Sequence, residues 1–203
     1  MMRLTDLLFN KNSKDINKER ALNAIKQNLA EYYYKNISFI ECLSKTAPMT
    51  ADLIMKYGTE GEAPKSTYDT ILIIATNYYA MLHVDTYSGF YAINREYTFK
   101  QVTELVEGAL KEIDENDGFQ AHNFKNVLHT SHDFSKQMIE VYYRVGTEGC
   151  HKFVVSSIYS VLLSVNRKHS LGRQQIENTV RTIQVEKFFA DNHHNDTSGI
   201  DQN

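Results

Sequence analysis

Histidine and aspartate stand side by side at His132-Asp133, and His122 and His129 precede them in the same stretch. Imidazole and carboxylate side chains ligate divalent cations, and a bound cation can turn water into a nucleophile. The plainer reading of the pair is structural, because aspartate suits the first turn of a helix, where it meets the positive end of the peptide dipoles. Other chemistries lack their parts. No Ser/His/Asp or Cys/His arrangement stands out, and there is no dinucleotide-binding glycine pattern. Gly58-Thr59-Glu60-Gly61 has neither the lysine nor the spacing of a phosphate loop. Cys42 and Cys150 are far apart, fit no metal spacing, and read as small apolar core residues. His193-His194 lie in a polar terminal stretch and read as solvated.

His132-Asp133-Phe134-Ser135-Lys136 resembles the His-Asp-x-Gly-Lys signature of the HD-type metal phosphohydrolases, an all-helical family. The likeness covers these residues alone. Ser135 stands where the family has glycine, and His129-Thr130-Ser131 replaces its preceding apolar run. The resemblance implies a metal held by His132 and Asp133, with an earlier histidine, here His83, and a later aspartate, here Asp191. It also implies a metal-activated water attacking phosphorus.

A second candidate lies between residues 150 and 190. Lys152, Arg167, Lys168, Arg173, Arg181 and Lys187 face only Glu177 and Glu186 there. A helix, the turn Asn166 to Ser170, and another helix would make a helix-turn-helix. Its last helix would show Arg173, Gln174, Gln175, Asn178 and Arg181, residue types that read base edges. The net charge of −3 for the whole chain argues against general nucleic-acid affinity.

A third candidate comes from charge on two helices. The stretch from Phe99 to Glu115 carries Glu104, Glu107 and Glu112, while the stretch from Leu171 to Phe189 carries Arg173, Arg181 and Lys187. Surfaces of opposite charge can meet head to tail between neighbouring copies, which builds rings or filaments, and such charge steers and registers a contact more than it strengthens it. Tyr32, Tyr33 and Tyr34 spread aromatic rings around one helix, so Tyr32 and Tyr34 are interface candidates off its buried stripe. We expect a non-catalytic interaction or assembly protein, with nucleic-acid binding and metal phosphohydrolysis as the alternatives. The partners would be other protein subunits, the protein itself included, and no cofactor is called for.

These side chains need a scaffold, and the sequence describes one. The chain of 203 residues has two prolines, nine glycines and no tryptophan, so long stretches run without punctuation. That favours helices over a turn-rich β fold. Gly58-Thr59-Glu60-Gly61 returns as Gly146-Thr147-Glu148-Gly149, and Asn94 to Phe99 is echoed by Asn166 to Leu171 in the same order. Repeats of this kind suggest a duplicated module. The expectation is a mainly α body of two similar three-helix units, with glycines 58 and 146 reversing the chain in conformations other residues avoid. Residues 1–13 read as an arm, 14–118 as unit one, 119–190 as unit two and 191–203 as a polar tail.

Apolar residues recur at helical spacing over 14–45, with Leu22, Ile25, Leu29, Tyr33, Ile37, Ile40 and Leu43 on one face. Further helices are expected over 50–57, 67–83, 99–115, 120–145, 148–165 and 171–189. Thr50, Ser66 with Asp69, Thr98 with Gln101, and Thr130 with Asp133 read as N-terminal caps. The β-branched run Ile71 to Ile74 leaves a strand as the alternative there, and residues 85–93 read as a short hairpin. The longest apolar runs are too short to span a membrane. The N-terminus lacks the apolar core of a signal peptide. We expect a cytoplasmic protein, or for a virus one of the host cytoplasm or the assembled particle.

Overall fold

A computed structural model describes residues 4–34, 37–57, 63–88, 95–115 and 121–165, together with 174 and 178. Every regular element among them is a helix: α1 (Leu4–Tyr34), α2 (Phe39–Thr46), α3 (Pro48–Tyr57), α4 (Lys65–Ser88), α5 (Arg95–Glu115) and α6 (Ala121–Val165). The mainly α class follows. Among the described residues, Leu4 to Glu115 is divided into five helices rather than three. The duplication is not confirmed: Gly58 to Gly61 and Asn166 to Leu171 lie outside the described residues.

The single helix expected over 14–45 is two helices. Helix α1 already begins at Leu4, inside the stretch read as an arm, and ends at Tyr34. Ser38 then adopts an extended conformation (φ −58°, ψ 148°), and its Oγ accepts from the Glu41 amide at 3.1 Å, capping α2. Helix α2 folds back on α1. Cys42 Sγ lies 3.2 Å from the Asn28 carbonyl oxygen and Lys45 pairs with Glu31, although each pair is 14 residues apart. A straight helix would separate them by about 21 Å. The apolar period survives the break, so Leu29, Ile40 and Leu43 are all buried.

Several expected caps are corrected. Pro48 opens α3, where its missing N–H costs nothing, and Thr50 sits inside the helix fully buried. Pro64 precedes α4, and the Thr67 amide donates to its carbonyl at 2.9 Å, so Ser66 is already helical. Thr98 is within α5, buried, with its hydroxyl 3.0 Å from that of Tyr143. Helix α6 passes through Thr130 without a break. Residues 85–88 of the expected hairpin continue α4, and 89–93 lie outside the described residues.

Helix α4 is the hub, packing against α1, α2, α5 and α6. Its residues 71–78 are buried without interruption, which overrides any strand preference of Ile71 to Ile74. Helices α1 and α5 run parallel: Lys18 meets Glu104 and Lys26 meets Glu112 at the same separation of 86 residues. Helices α5 and α6 run antiparallel, since Arg95 pairs with Glu140 at 2.8 Å while Phe99, one turn on, meets His132, two turns back.

Helix α6 is a hairpin. Gly146 has φ 71° and ψ −171°, and the arms on either side fold together. Phe134 stacks on Phe153 with ring centroids 5.7 Å apart. Cys150 Sγ lies 3.7 Å from the Met138 carbonyl oxygen, 12 residues away, where a straight helix would put about 18 Å between them. The reversal expected at the second glycine-threonine-glutamate-glycine segment is therefore present, on the glycine.

One polar cluster is enclosed in this core. Asn77, Ser131 and Ser135 have no exposed surface. Asn77 Nδ2 donates to the Ile73 carbonyl at 2.8 Å and to Ser131 Oγ at 3.1 Å, and Ser135 Oγ donates to Asn77 Oδ1. Replacing Asn77→Leu should strand both hydroxyls and lower the unfolding free energy by about 1–3 kcal/mol. The triple variant with Ser131→Ala and Ser135→Ala should recover most of that in urea titrations; a triple variant as unstable as the single would assign the loss to packing.

Candidate interaction groove

The parallel packing of α1 and α5 sets two rows of charge against each other. Lys18 Nζ lies 3.4 Å from Glu104 Oε2, Lys26 pairs with Glu112, and Leu22 between the lysines packs over Gly108. Both ion pairs are well exposed, so they orient the helices more than they stabilise them. Beyond the second pair the helices leave an open groove of about 350 Å³, lined by Asn23, Lys26, Gln27, Ala30, Tyr34, Glu112 and Ile113. The Tyr34 hydroxyl donates to the Ile113 carbonyl at 2.7 Å, yet the side chain keeps 42% of its exposure. The ring is thus held in place with much of its surface facing water. The groove offers an aromatic wall, two amides and an ion pair.

Two of the interface candidates, Tyr34 and Glu112, come together here. Glu104 and Glu107 share the α5 surface, with Glu104 also 3.9 Å from Lys100. Tyr32 points elsewhere: it is half-buried, packs edge-on against Tyr33 at 5.0 Å, and faces Asp69 of α4. Burial and then the nearby Asp69 carboxylate push the phenols of Tyr32 and Tyr33 up. Asp69 itself is raised by burial, against the opposing pull of Lys65. Arg173, Arg181 and Lys187 lie outside the described residues, whereas Gln174 and Asn178 are helical and exposed. Lys26, Asn23 and Gln27 were missed in the sequence; the signal was the equal spacing of Lys18 and Lys26 against Glu104 and Glu112.

The histidine–aspartate pair sits mid-helix on α6. His132 and Asp133 are exposed, and the imidazole packs edge-on against Phe99 at 5.1 Å. His83 on α4 is half-buried with its ring against Tyr79 at 4.3 Å. Asp191 lies outside the described residues, among which no group of three or more metal-ligating side chains comes together. Ser135, standing at the signature's glycine position, is committed to Asn77. No family model, curated protein or solved structure matches this chain.

Two further titratable groups meet where α6 turns back. His151 Nδ1 and the Tyr78 hydroxyl share a hydrogen bond of 3.2 Å, while His151 Nε2 is buried without a partner among the described residues. Cys150 beside it touches Met81, and burial pushes its thiol up to about 12. Burial holds both His83 and His151 below the ordinary imidazole value of 6.5. The unfolded chain therefore takes up these protons first. Their contribution to stability is complete above 6.5 and is lost as pH falls below it. Denaturation midpoints should drop between pH 8 and pH 5, and the His83→Gln, His151→Gln double variant should flatten that limb. An unchanged limb would assign it to other groups.

Proposed function

We propose that this is a non-catalytic interaction or assembly protein that docks protein subunits, including further copies of itself, on the α1–α5 groove. The observation that carries this reading is Tyr34, an exposed aromatic ring tethered through its hydroxyl to Ile113 beside the Lys26–Glu112 pair. A ring already held in place loses little freedom on binding, and tyrosines at the centre of a contact often dominate its energy. The acidic α5 surface supports the reading in a secondary way. Glu104 and Glu112 already have lysine partners within the chain, so charge there guides approach while the ring and the apolar walls hold.

Light scattering across a concentration and salt series tests this. The mass should rise above the 23.4 kDa of one chain with concentration. Tyr34→Ala should weaken the association about tenfold or more, the effect of losing roughly 1.4 kcal/mol. A protein that stays at monomer mass throughout would remove self-association, and a Tyr34→Ala variant that associates like the wild type would remove the groove.

A further inference from the structure

We propose that the second arm of α6 is exchanged between two copies of this chain, a mode of assembly separate from the groove. The two arms, residues 121–145 and 147–165, are joined without a loop: Gly146 alone departs from helical geometry within the 45 residues of α6. Bringing that one residue to helical angles would fuse the arms into a rod of about 68 Å. Once both arms are formed, joining them adds backbone hydrogen bonds across the junction without a new nucleus.

The opened arm cannot stay bare. Cys150, Val154, Ile158 and Leu162 are buried in the closed hairpin, and Cys150 lies against Met138 of the first arm and Met81 of α4. A second copy carries the same receiving surface: Phe134 for Phe153, Met138 and Met81 for Cys150, and Tyr78 for His151. Two opened chains can therefore rebuild these closed contacts between them, so that among the described residues the exchanged pair differs from two closed monomers mainly at residue 146. Exchange of identical elements is a low-cost route to dimers, and a short hinge invites it.

The hinge can be tested cleanly. Nothing lies within 4 Å of where a β-carbon on Gly146 would sit, so Gly146→Ala meets no steric clash. Its penalty is conformational, because φ 71° is a region that residues with a side chain avoid. Alanine should disfavour each closed hinge about tenfold. With two hinges in a dimer, the association constant should rise about a hundredfold. That dimer should persist for hours after dilution, since separation requires the arms to detach. Inserting Gly-Ser-Gly-Ser after Gly146 gives the closed hairpin a relaxed loop and should return the protein to monomer, with helical circular dichroism retained.

The arms separate this proposal from the groove. Association that answers to the Gly146 variants and ignores Tyr34→Ala supports exchange and overturns the groove. Association that answers to Tyr34→Ala and ignores both hinge variants overturns exchange and leaves the groove. A Gly146→Ala protein that folds and stays monomeric at high concentration also overturns exchange. Should that variant not fold, the insertion variant decides, because wild-type dimers that survive the insertion are not exchanged.

Discussion

Asn77 brings a primary amide into a place where water cannot reach it. Its donors and acceptor must be met by the helices around it, since a buried amide left without partners costs on the order of 1–3 kcal/mol. Ile73 of its own helix takes one donor, and Ser131 and Ser135, one turn apart on α6, complete the set. Apolar side chains alone would permit α4 to slide or rotate against α6 with modest repacking. The amide does not permit it, because a shift of one turn would strand three polar groups together. The register of α4 against α6 is thereby set by three small polar side chains.

From that register the rest of the body follows. Met81, one turn beyond Asn77, is placed against Cys150, and Tyr78 against His151, so the second arm of α6 is held where the first arm and α4 both reach it. Helix α5 lies antiparallel on α6 through Arg95 with Glu140 and through the Thr98 and Tyr143 hydroxyls. Helix α1 in turn lies parallel on α5, aligned by its two lysine–glutamate pairs. The groove at Tyr34 is the outer end of this series, and its shape depends on the buried register although it shares no residue with it.

The two modes of association proposed above use different physics. A contact at the groove adds a surface to a finished fold, and its strength rests on a prepositioned ring. Exchange at Gly146 adds no new contact type, and its balance rests on one pair of backbone angles and on concentration. The histidine–aspartate pair belongs to neither. Its imidazole lies against Phe99, and the serine that follows two positions later is part of the buried amide cluster.

The helical class, most helix positions and the reversal at Gly146 were legible in the sequence, because they depend on local properties: apolar residues at helical spacing, scarce proline and glycine, and a glycine where the chain must take a positive φ. The caps were less legible. Thr50, Ser66, Thr98 and Thr130 are types that favour helix starts, but two prolines had already fixed two of those starts, and Thr98 found a partner in Tyr143 instead. The break before α2 was hidden because the apolar stripe continues across it. Tyr34 and Glu112 could be named as surface residues from pattern alone. Their meeting in one groove, the lysines opposite α5 and the amide at Asn77 were decided only by tertiary packing, because each is a contact between helices far apart in the chain, and periodicity reports which face of a helix is buried but not what it is buried against.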